Sequence, residues 1–72
     1  MIKVFGSSIK IVTNSGTIIR TFDKIVEFIF YENNELSFVN SWTGESEEYY
    51  LNALESIEIQ FYGNAVFVYV KS

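Results

Sequence analysis

The run Ile57-Glu58-Ile59-Gln60-Phe61-Tyr62-Gly63-Asn64-Ala65-Val66-Phe67-Val68-Tyr69-Val70 decides the fold class. Ile57, Ile59 and Phe61 alternate with Glu58, Gln60 and Tyr62. After Gly63-Asn64, the residues Val66, Val68 and Val70 alternate with Ala65, Phe67 and Tyr69. Alternation of β-branched and aromatic residues at period two is the pattern of a half-buried strand. Gly-Asn between two such runs predicts a two-residue hairpin turn, because primed turns need φ > 0 at their central positions. The register that follows pairs Ile59 with Val68 and Ile57 with Val70. One face is then wholly apolar, and the other carries Glu58, Gln60, Tyr62, Phe67 and Tyr69. Such a hairpin needs further strands to cover its apolar face.

Those strands are sought upstream. Residues 2–5 read as a short strand, Gly6-Ser7-Ser8 as a bend or bulge, and residues 9–13 as the next strand. Asn14-Ser15-Gly16 reads as a three-residue loop returning into residues 17–22, which sets Ile11 against Ile19 and Lys10 beside Arg20. Residues 25–31 suit a strand by their β-branched and aromatic content, although Asp23 could also cap a helix there. Glu32-Asn33-Asn34-Glu35 makes a turn into residues 36–42, placing Tyr31 opposite Leu36, Ile29 opposite Phe38 and Ile25 opposite Trp42. Residues 47–51 form a short strand after the Thr43-Gly44-Glu45-Ser46 turn; the competing reading is a helix over 46–56, where Tyr50, Leu54 and Ile57 recur at helical spacing. Turn signals every 8–12 residues mark an all-β sandwich or barrel. The expectation is one domain, residues 1–72, of six or seven antiparallel strands built from hairpins in a small barrel-like or two-layer arrangement. The alternative is an α+β domain with one helix near 46–56.

Composition limits the chemistry. The 72 residues contain no Cys and no His, so disulfides, thiolate or imidazole catalysis and a structural zinc site are not expected. Four glycines sit singly in turn positions, and none builds a phosphate-binding loop. Glu45, Glu47 and Glu48 are the densest carboxylates, but adjacent strand residues point to opposite faces and a Glu run beside a turn reads as a solvated edge. The expectation is a non-enzymatic chain with no cofactor and no metal. No apolar stretch is long enough to span a membrane or act as a secretion signal, which predicts a cytoplasmic protein that does not engage membranes.

Net charge is −4 and unevenly spread. Lys3, Lys10, Arg20 and Lys24 outnumber Asp23 in residues 1–24, whereas residues 25–72 hold eight Glu against Lys71. That split predicts opposite potentials on two sides of the fold, suited to self-association or a basic partner; plain solubility is the alternative. Seven Phe, five Tyr and one Trp exceed what one small core needs, so part of the ring surface is expected at an interface, the alternative being rings that fill a barrel and dot its surface. The candidate partner-binding residues are Trp42, Tyr49, Tyr50, Tyr62, Phe67 and Tyr69, with Glu45, Glu47, Glu48 and Glu58 as the charged surround. Phe67 and Tyr69 also suit base stacking, but the carboxylate beside them opposes a nucleic-acid backbone, so nucleic acid is a disfavoured partner.

The run from Tyr50 to Ile59, YLNALESIEI, looks like the segment that closes small bacterial barrels of the Sm-like or pleckstrin-homology-like type. In size, acidity and lack of catalytic residues the chain is similar to small phage-encoded inhibitors of bacterial defence, anti-CRISPR proteins among them. That resemblance implies a non-enzymatic regulator that occupies a larger protein, in a form that includes a homodimer, and the acidic aromatic surface suits a basic target such as a nucleic-acid-binding protein. Two other functions stand beside it: a single-stranded nucleic-acid-binding barrel and a self-assembling structural subunit.

Overall fold

Strand-forming residues run through most of the sequence, and the computed structural model, which describes residues 1–40 and 43–72, turns them into six strands. These are β1 (Ile2–Thr13), β2 (Gly16–Phe30), β3 (Glu35–Val39), β4 (Ser46–Tyr50), β5 (Ser56–Phe61) and β6 (Asn64–Val70), with a single 3₁₀ turn (Leu51–Ala53) between β4 and β5. All neighbours are antiparallel, in the order β4-β3-β2-β1-β5-β6.

Two long bent strands make this sheet into two layers. Gly6 pairs with Val26 and Ser8 with Thr21, so Ser7 alone stands opposite residues 22–25 of β2. The mismatch bends both strands at one place, as bulges do. One arm of the β1–β2 pair continues into β3 through Phe28, Ile29 and Phe30. The other arm continues into β5 through residues 8–12 of β1. The bulge also switches which residues of β1 face inward, from Val4 and Gly6 to Ile9 and Ile11. Ile9, Ile11, Ile57 and Ile59 from one layer thus meet Val26, Phe28, Phe30, Leu36 and Phe38 from the other, with Leu54 closing one end. The Phe28 and Phe38 rings lie 5.1 Å apart, and Phe22 stands edge-on to both at 6.3 and 5.8 Å. Phe30 packs on Phe67 of β6 at 4.3 Å.

The all-β, two-layer expectation therefore holds, with corrections inside it. Segments 2–5 and 9–13 are one strand, and 17–22 and 25–31 are another. The helix considered over 46–56 is instead β4 and the 3₁₀ turn. Each of the three predicted hairpins is shifted by one residue. Ile11 pairs with Ile18 rather than Ile19, Phe30 rather than Tyr31 pairs with Leu36, and Ile57 pairs with Tyr69 rather than Val70. The closing turn is centred on Tyr62 (φ +47°) and Gly63 (φ +85°), not on Gly63-Asn64. A one-residue slip exchanges the faces of a strand, so Phe67 and Tyr69 turn inward while Val66, Val68 and Val70 turn out. Trp42 and its proposed pairing with Ile25 lie outside the described residues.

The sequence split in charge does not become two opposed sides. Lys3 Nζ lies 3.2 Å from Glu27 Oε1, Arg20 Nε lies 3.6 Å from Glu47 Oε1, and Lys10 sits directly across the β1–β5 ladder from Glu58. Folding brings three basic residues of the first 24 beside carboxylates from the remainder.

Candidate protein-binding face

The outer face of the β2–β3–β4 region gathers Glu32, Glu35 and Glu48, none of which belongs to those pairings. Ser37 and Glu48 pair across β3 and β4, as do Glu35 and Tyr50, so Glu35, Glu48 and Tyr50 share one face. The turn after β2 adds Tyr31, Glu32 and Asn33. Its geometry is fixed by the Tyr31 amide donating to the Glu35 carbonyl (2.9 Å), the Asn34 amide donating to the Tyr31 carbonyl (3.2 Å), and Asn34 in the left-handed region at φ +62°. Asn is one of the few residues that tolerates that conformation. Tyr31, Glu32, Asn33, Glu35, Glu48 and Met1 line an open depression of about 440 Å³. The Asn33 side-chain amide donates to Glu35 Oε2 at 3.5 Å, and the Met1 amino nitrogen lies 3.9 Å from Glu32 Oε1. Tyr31 and Tyr50 are 41% and 58% exposed. Aromatic rings beside converging carboxylates form a surface on which a Lys or Arg side chain gains both ion pairing and cation–π contact.

Of the ten residues singled out in the sequence, Trp42 lies outside the described residues, and the other nine are not brought to one place. Glu48 and Tyr50 belong to this acidic face. Glu45 lies before β4, its amide donating to Thr43 Oγ1 and its carbonyl accepting from the Asn40 amide. Glu47 and Tyr49 point the other way from Glu48 and Tyr50, with Tyr49 stacked on Phe38 at 6.3 Å and its hydroxyl donating to Glu47 Oε2 at 3.2 Å. Burial raises the Tyr49 pKa above its ordinary value, the Glu47 charge and hydrogen bond raise it further, and Arg20 works against them. Glu58 lies in the other layer beside Lys10. Tyr62 is on the β5–β6 turn, 69% exposed, with its ring edge-on to Phe61 at 4.9 Å. Its amide donates to Ser7 Oγ, which in turn donates to the Gln60 carbonyl.

Phe67 and Tyr69 are packed against the core, so the stacking platform read from their spacing is not on the surface. Lys10 and Arg20, read as neighbours, occupy opposite faces. Tyr31, Glu32 and Glu35 are the members of the acidic face that sequence reasoning missed. Their signal was a tyrosine and two carboxylates bracketing an Asn-Asn turn, which sets all three at one end of a hairpin.

Of the twelve rings among the described residues, Phe5, Tyr31, Tyr50, Phe61 and Tyr62 are exposed. Among the described residues, no group of three or more acidic side chains is placed to hold a metal ion, and no helix is long and apolar enough to cross a membrane. No family model, curated protein or solved structure matches the chain.

Proposed function

We propose that the chain is a non-enzymatic protein-binding module whose acidic face seats a basic segment of a larger protein. The observation that carries this reading is the convergence of Glu32, Glu35 and Glu48 with Tyr31 on one depression, which no Lys or Arg side chain among the described residues lines, with Lys3 and Arg20 paired to Glu27 and Glu47. A surface of this sign steers basic partners and repels nucleic acid. A nucleic-acid-binding protein presents the complementary chemistry, and carboxylates seated in its groove would occupy the place of phosphates. Such a module acts as an inhibitor or regulator in the manner of small phage-encoded anti-defence proteins. In this reading it works in the cytoplasm, where a cysteine-free domain needs no oxidising compartment.

The test is titration of an arginine-rich peptide against the wild-type chain, the E35K/E48K double variant and D23K, whose reversed charge lies at the β2 bend. The double variant is expected to bind at least about tenfold more weakly, with D23K close to wild type and the wild-type affinity falling with salt. Equal affinity for all three chains, or tighter binding of single-stranded DNA than of the peptide, defeats the reading.

A further inference from the structure

We infer that the chain pairs face to face with a second copy of itself through the outer surface of the layer made by β2, β1, β5 and β6. This surface is separate from the acidic face. The ladder registers place Ile19, Lys10, Glu58 and Val68 in one row across the four strands, and Thr17, Val12, Ser56 and Val70 in the row beside it. Ile19, Val68 and Val70 are 63%, 59% and 68% exposed.

The first row is apolar, positive, negative, apolar. A two-fold rotation about an axis parallel to the strands, between β1 and β5, lays each β1 over the opposite β5 and each β2 over the opposite β6. Lys10 then faces the partner's Glu58, and Ile19 faces the partner's Val68. In the second row Thr17 meets the partner's Val70, and Val12 meets the partner's Ser56. The row reads the same from both copies, as an isologous interface requires. The two-fold axis perpendicular to the strands instead sets Lys10 on the partner's Lys10 and Glu58 on the partner's Glu58. Charge thus selects one orientation, close to the aligned packing natural to twisted sheets.

Net charge argues for the same face. Each chain carries −4, so two copies repel wherever carboxylates are in excess. Lys10 and Glu58 balance locally, whereas the opposite layer presents Glu35 and Glu48 outward. A stable dimer hides about 800 Å² per partner, roughly a sixth of this chain's 4707 Å² of surface. The exposed aliphatic side chains of the two rows are Ile19, Val68 and Val70, so the pair is weak and concentration-dependent.

The experiment is mass against concentration, by sedimentation at low salt, for wild type, K10E, E58K, K10E/E58K and I19K. Wild type is expected to pass from monomer to dimer as concentration rises. K10E and E58K alone are expected to stay monomeric, because like charges then face one another at both contacts. Mixed in equal amounts they form a heterodimer detectable by native mass spectrometry, and K10E/E58K regains the homodimer. I19K changes an exposed side chain, leaves the fold intact by circular dichroism, and is expected to remain monomeric. A wild type that stays monomeric at every concentration overturns the inference. So does a dimer indifferent to K10E and I19K, which would join through another surface, such as the β4 or β6 edge. Failure of K10E and E58K to combine would overturn it equally.

Discussion

Gly6 and Ile59 approach so closely that a β-carbon on residue 6 would lie 2.5 Å from Ile59 Cγ2 and 2.9 Å from the Gln60 carbonyl oxygen. The contact falls beside the bulge in β1, where the strand leaves one layer for the other and passes over β5. One neighbour there is backbone and does not rotate away. The Phe28 ring, 3.3 Å off, closes the third side.

Gly6→Ala is therefore expected to destabilise the chain by about 1–3 kcal/mol, the range for an added methyl group in a filled interior. Urea unfolding is the measurement, with a lower midpoint at unchanged slope. Gly44→Ala has open space around its β-carbon and a positive φ of +76°, so it reports backbone strain alone and is expected to lose only about 1–2 kcal/mol.

Phe38 and Val39 are adjacent, yet one is 1% exposed and the other 46%. Phe38→Ala removes a ring that touches Phe22, Phe28 and Tyr49, and the expected loss is about 3–5 kcal/mol. That is a large part of the roughly 4–11 kcal/mol available to a chain this size. Val39→Ala is expected to change stability by no more than about 0.5 kcal/mol. Equal losses for the two would contradict the β2–β3 register.

The β5–β6 turn gives a comparable test of register. Gly63→Ala is expected to lose about 1–2 kcal/mol, because φ is +85° there. Asn64 is a β6 residue, so Asn64→Thr is expected to stay within about 0.5 kcal/mol of wild type. Large losses for both would return the turn to Gly63-Asn64.

Tyr49 sets a limit at alkaline pH. Its folded-state pKa is raised above the ordinary value, first by burial and then by Glu47. Below the ordinary tyrosine pKa of about 10, folded and unfolded chains both hold the proton and the shift has no effect. As pH rises past that value the unfolded chain releases its proton first, so stability falls until the folded phenol also ionises. Denaturant midpoints against pH are expected to decline less steeply above about pH 10 in Tyr49→Phe than in wild type. The phenolate absorbance of wild type should keep a late component that Tyr49→Phe lacks.

How far the fold was legible follows from these same positions. Alternation at 57–61 and 65–70 gives the strands without ambiguity, and turn residues give the hairpins. Facing was harder to read, because both faces of β6 are apolar: Val66, Val68 and Val70 on one, Phe67 and Tyr69 on the other. Period two cannot choose between two hydrophobic sets. In the structure it is Phe67 that turns inward and packs on Phe30. The same problem shifted the hairpin at 25–42, where Ile29 and Phe28 compete for the interior. In the first hairpin the sequence makes Gly16 the last loop residue, whereas it is the first of β2, at φ +147°. The acidic face was only half visible because it joins a turn to a strand that follows it by thirteen positions or more. No local window spans both Glu32 and Glu48.

Each of the two long strands is half in one layer and half in the other, which leaves no line along which the molecule divides into self-sufficient fragments. A break at Asn14-Ser15 would yield two peptides, each missing one wall of every compartment it needs. Hydrogen exchange at Ile9, Ile11, Phe28 and Phe30 should consequently report a single opening event.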